Sequence, residues 1–73
     1  DSEAAVIQAQ KSLLNVLAQL RGATGHDFKH YKKATILRRL ERRMQVTAQP
    51  NLAAYDAYLA EHPTETRHFW KTC

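Results

Sequence analysis

Thr35-Ile36-Leu37-Arg38-Arg39-Leu40-Glu41-Arg42-Arg43-Met44 is the stretch that decides the fold. With Arg38 at zero and ~100° per residue, Arg42, Arg39 and Arg43 fall near 40°, 100° and 140°. Ile36, Leu40, Met44 and Leu37 fall between roughly 160° and 260°. A strand would alternate its apolar residues; these recur at helical spacing. The segment therefore reads as an amphipathic helix with one side packed into a core and four guanidiniums on the other. Thr35 is expected to cap it, the helix to run over about Ile36–Val46, and Gln49-Pro50-Asn51 to end it, since proline disfavours a helical residue before it.

Upstream, a first helix is expected over about Ser2–Arg21. Ser2 can cap it, and Glu3 suits the positive end of its dipole. Val6, Leu13, Leu14, Leu17 and Leu20 form one apolar stripe, and Gly22 is expected to stop it. After the turn Ala23-Thr24-Gly25, Asp27 is expected to cap a short turn carrying Phe28 and Tyr31 on one face. Downstream, Asn51 should cap a helix that buries Leu52, Tyr55, Tyr58 and Leu59. His62-Pro63 closes it, with Pro63 in the first turn of a last helix where Phe69, Trp70 and Cys73 share a face. Strand signals are nearly absent. The expectation is an all-α, compact bundle of three or four main helices plus a short helical turn.

The bulk numbers agree with a single small domain spanning residues 1–73. With 44% hydrophobic and 25% charged residues, the chain is too apolar for intrinsic disorder. It has no run of ~20 apolar residues to cross a bilayer. One cysteine excludes an internal disulfide. Together with an acidic rather than basic N-terminus, this favours the cytoplasm. The missing initiator Met and the abrupt end at Lys71-Thr72-Cys73 read as a piece of something longer.

Charge is concentrated. Lys29, Lys32, Lys33, Arg38, Arg39, Arg42 and Arg43 stand against the single acid Glu41, a local +6 in a chain of net +4. The pairs Arg38/Arg42 and Arg39/Arg43 repel at about 0.2–0.5 kcal/mol each, and Glu41 lies away from them on the wheel. A face kept only for solubility would mix signs. Arginine's planar fork matches carboxylates and phosphates two-to-two, so an acidic partner is expected, and the residues alone leave both chemistries open. A nucleic-acid-binding module using Arg38–Arg43 is the rival, against which the helix carries no Asn or Gln among its arginines to read bases.

The run Arg21-x-x-Thr24-Gly25-His26-Asp27-Phe28-x-x-Tyr31-Lys32-x-x-Thr35-x-x-Arg38-Arg39-Leu40-x-Arg42-Arg43-Met44, followed by Leu52-x-x-Tyr55-x-x-Tyr58-Leu59 and Pro63-x-Glu65, resembles the N-terminal helical domain of CheR-type chemoreceptor methyltransferases. His26 after Thr24-Gly25 is similar to versions fused to other chemotaxis or sensory domains. The resemblance implies a parent enzyme that methylates glutamates of bacterial chemoreceptors with S-adenosylmethionine, in which this domain recognises substrate and caps the cofactor. It implies that Arg39 and Arg43, with Lys33, meet the acidic methylation helices, with Arg38 and Arg42 as helpers. It places Thr24 and Gly25 against the cofactor pocket. The catalytic domain of the same parent chain is expected after residue 73, because this stretch has no Gly-rich strand–turn–helix for a cofactor. By itself it is expected not to be catalytic.

Other constellations carry little. His26 and His30 are spaced for a metal but have no third ligand tied to them. Cys73 has no partner, and Phe69 and Trp70 read as core before they read as a docking patch. Tyr55 and Tyr58 read as core with hydroxyls at the rim.

Overall fold

The computed structural model describes residues 2–24 and 28–71. Four α-helices and one 3-10 turn follow in order: α1 Glu3–Thr24, the turn Phe28–His30, α2 Lys33–Val46, α3 Leu52–Glu61 and α4 Glu65–Trp70. The all-α bundle is thus the observed fold. Each helix gives two residues to one core: Val16 and Leu20, Ile36 and Leu40, Tyr55 and Leu59, Phe69 and Trp70. Among the described residues, no helix is long and apolar enough to cross a membrane.

α1 begins as expected, with Ser2 Oγ accepting from Ala5 N–H at 3.2 Å, but it departs from expectation further on. Gly22 does not stop it; the helix runs through to Thr24. Its packed edge is also rotated. Ser12, Val16 and Leu20 are buried, while Val6 and Leu14 are 56% and 66% exposed. The helix carries two neighbouring apolar stripes, and periodicity does not say which one meets α3. Residues 2–10 are all exposed, so the first turns of α1 run past the bundle. The molecule extends 35 Å along its longest axis, close to the ~33 Å that 22 helical residues span. Where α1 does pack, the Gln19 side-chain amide donates to the Asp56 carboxylate and carbonyl, joining it to α3.

α2 begins earlier than the wheel suggested, with Lys32 at the cap position and no side-chain cap bond; Thr35 lies inside the helix. It ends at Val46, as expected, but the stop comes before Pro50 acts. Ala48 has φ 59°, and Gln49 N–H donates to Met44 O at 2.8 Å, the closure of a helix by a left-handed residue. Leu37, read as core, is 42% exposed. α3 starts as expected: Asn51 Oδ1 accepts from Ala54 N–H at 2.8 Å. Pro63 lies in the turn before α4 instead of inside its first turn. Asp27 and Cys73 fall outside the described residues.

Two positions are inverted relative to what the backbone prefers. Alanine occupies a left-handed position that costs an L-residue about 1–2 kcal/mol. Glycine sits inside a helix with nothing within 4 Å of where its Cβ would be. Ala48→Gly and Gly22→Ala are each expected to raise stability by roughly 0.5–1 kcal/mol. A melting temperature unmoved in both variants would contradict this reading.

Candidate functional site

Burial of Ile36 and Leu40, at 6% and 1% exposure, orients α2 and leaves the four arginines in unequal environments. Arg38 and Arg42 lie opposite the core and are exposed. Arg39 is half-buried; its Nη1 donates to Phe69 O at 3.4 Å near the end of α4. Its guanidinium carbon stands 5.5 Å from the centre of the Tyr31 ring, within cation–π range.

Arg43 is committed inward. Its Nε and Nη2 donate to Glu65 Oε2 and Oε1 at 2.7 and 2.8 Å, a bidentate pair that ties α2 to α4. Tyr55 O–H donates to the same Glu65 Oε2 at 2.7 Å, bringing in α3. The carboxylate is 3% exposed. Burial pushes the Glu65 carboxyl upward, but the hydrogen bonds from Arg43 and Tyr55 and the Arg43 charge outweigh it and hold the group below its ordinary value. Arg43 is raised, chiefly by its bond to Glu65. Tyr55 is raised by desolvation and by Glu65, so its hydroxyl keeps its proton and stays a donor. Its hydroxyl is therefore in the core and not at the rim.

α2 and the end of α4 enclose an open groove of ≈ 600 Å³ lined by Arg38, Arg39, Arg42, Arg43, His68 and Lys71, with Thr35, Glu41, Gln45 and Phe69. Glu41, expected to lie apart from the arginines, lines the same groove. Lys33 is not brought to it. It sits with Leu13, Leu17, Phe28, Tyr31, Ile36 and Leu37 around a second, mostly apolar groove of ≈ 320 Å³. Gly25 lies outside the described residues, and Thr24 is the last residue of α1.

Two features of the site were not assigned from sequence. Glu65 is one of them, since nothing in a one-dimensional pattern tells a buried acid from a surface one. His68 and Lys71 reach the groove because α4 folds back over α2. Phe69 and Trp70 are core, as the preferred reading had them; Trp70 Nε1 donates to Leu20 O at 3.1 Å, and its ring meets Phe28 and Tyr31 at 4.9 and 5.5 Å.

No curated protein and no solved structure matches the chain. A family model does, that of the all-alpha domain of CheR methyltransferase, over residues 11–72. The matched span contains α2, α3 and α4, the Arg43–Glu65–Tyr55 tie and both grooves. With nearly its whole length so matched and an all-helical fold around it, this chain belongs to the CheR methyltransferase family, as its all-alpha domain.

Proposed function

We propose that the domain recognises an acidic helical segment of a bacterial chemoreceptor, within an S-adenosylmethionine-dependent protein-glutamate methyltransferase. The observation that carries this is the exposure of Arg38 and Arg42, one helical turn apart beside a groove that also holds Arg39 and Lys71. Glutamates spaced by one turn on a partner helix match that spacing. Arg43 acts differently: its fork is filled by Glu65, so it holds α2 in place and contributes little direct contact. Lys33 belongs to the other face and is left out of the contact set.

Capping of the cofactor by Thr24 and Gly25 is the second part of the reading. Thr24 lies at the carboxyl end of α1, where a helix has the negative end of its dipole. That chemistry suits the cofactor's cationic sulfonium. The cofactor itself supplies the methyl group, and the groups that hold most of it are expected in the catalytic domain of the parent chain.

The test uses the full-length parent enzyme with Arg38→Ala/Arg42→Ala. Two exposed arginine contacts worth about 1 kcal/mol each predict a roughly tenfold to thirtyfold rise in KM for receptor, with kcat and melting temperature kept. Added salt should shrink the difference. Full activity in the variant, together with duplex DNA binding that falls by about 0.9 log units per neutralised phosphate and log unit of salt, would assign the helix to nucleic acid instead.

A further inference from the structure

The arginine groove leaves two apolar features unexplained, one on α1 and one between α1, the 3-10 turn and α2. Val6, Ile7 and Leu14 are exposed by half or more, and the second groove, rimmed by Leu13, Leu17 and Leu37, is open. Residues 3–10 also lie before the span shared with the family, yet continue α1 without a break. We propose that α1 is the seam of an antiparallel pairing between two copies of this chain.

The register points to that occupant. Glu3, Ile7, Gln10, Leu14, Leu17 and Arg21 follow one another at alternating steps of four and three residues, the spacing of a helix–helix seam. With Val6 they share an arc of ~100°, clear of the buried edge Ser12–Val16–Leu20. The two ends of the seam carry opposite charges, Glu3 and Arg21, both exposed. A parallel pair would stack Glu3 on the partner's Glu3 and Arg21 on the partner's Arg21. An antiparallel pair centred near residue 12 sets Glu3 against the partner's Arg21 at both ends. It also sets Ile7 against the partner's Leu17 and Gln10 against the partner's Leu14.

The same arrangement fills the open groove. Val6 lies on the groove side of the seam, at the angle between Leu13 and Leu17. Under a two-fold axis perpendicular to the helices, the groove sides of both copies coincide. The partner's Val6 and Ile7, on its overhanging turns, then come to rest beside Leu17 at the mouth of the groove, and the exchange is reciprocal.

Sedimentation equilibrium of the 73-residue chain tests this. The mass should rise from 8.4 kDa toward twice that value between about 10 µM and about 1 mM, the range of a small and weak interface. Leu14→Asp and Glu3→Arg should each stay monomeric, with helical circular dichroism retained because neither side chain is buried. Arg21→Glu should also fail alone, whereas an equimolar mixture of Glu3→Arg and Arg21→Glu should restore the dimer. A wild-type chain that stays monomeric at the highest concentration would overturn the proposal and leave the seam to another segment or domain. So would a dimer that survives Leu14→Asp. A dimer indifferent to Glu3→Arg would overturn the antiparallel register.

Discussion

Arg43→Ala is expected to lower the stability of the domain by about 2–4 kcal/mol, because it leaves the Glu65 carboxylate buried with one hydrogen-bond donor in place of three. The estimate lies below that for a fully enclosed pair because Arg43 keeps 18% of its side-chain surface in solvent. Urea unfolding measures it; an unchanged midpoint would show that the tie is dispensable. Replacing both partners by apolar residues, Arg43→Met with Glu65→Leu, should recover much of the loss, since no charge then remains buried.

The pH dependence follows from the same carboxyl. The fold holds Glu65 below its ordinary value of 4.5, so the unfolded chain binds this proton more tightly than the folded one. Its contribution is complete above the unfolded value and is lost as pH falls through the folded one. Acid unfolding should therefore steepen below about pH 4.5, and Glu65→Gln should flatten that part of the profile. This result also bears on function: loss of methylation in an Arg43→Ala enzyme would report a loosened α2, so it does not test substrate contact. Arg38 and Arg42 do.

Leu40→Ala is expected to cost about 2–5 kcal/mol, the range for truncating a buried leucine. Leu40 is 1% exposed and sits in the one core that all four helices share. A domain of this size has only about 3–5 kcal/mol of net stability, so much of the population should unfold at room temperature. Far-ultraviolet circular dichroism of the variant measures the loss. A native spectrum with an unshifted melt would mean that α2 packs on another edge. The contrast with Leu37 is instructive. Leu37 lies at the margin of the same apolar arc but is 42% exposed, and its removal should cost much less.

Sequence by itself determined that this chain is helical, where α3 begins, and which edge of α2 is central to the core. These are local matters: the spacing of Ile36, Leu40 and Met44, and the capping side chain of Asn51, act within a turn or two of backbone. It also determined where positive charge gathers. Tertiary structure decided the rest. Which of two apolar stripes on α1 is buried depends on where α3 lies, so Val16 is buried while Val6 and Leu14 are exposed. How four arginines on one face divide their work depends on α4 bringing Glu65 beneath Arg43 and the carbonyl of Phe69 beside Arg39. Lys33 parts from the arginines because α2 already begins there, which puts it at roughly 220° on the same wheel, among the apolar residues. Burial of a charge and pairing across helices are properties of contacts far apart in the chain, and a helical wheel holds only neighbours.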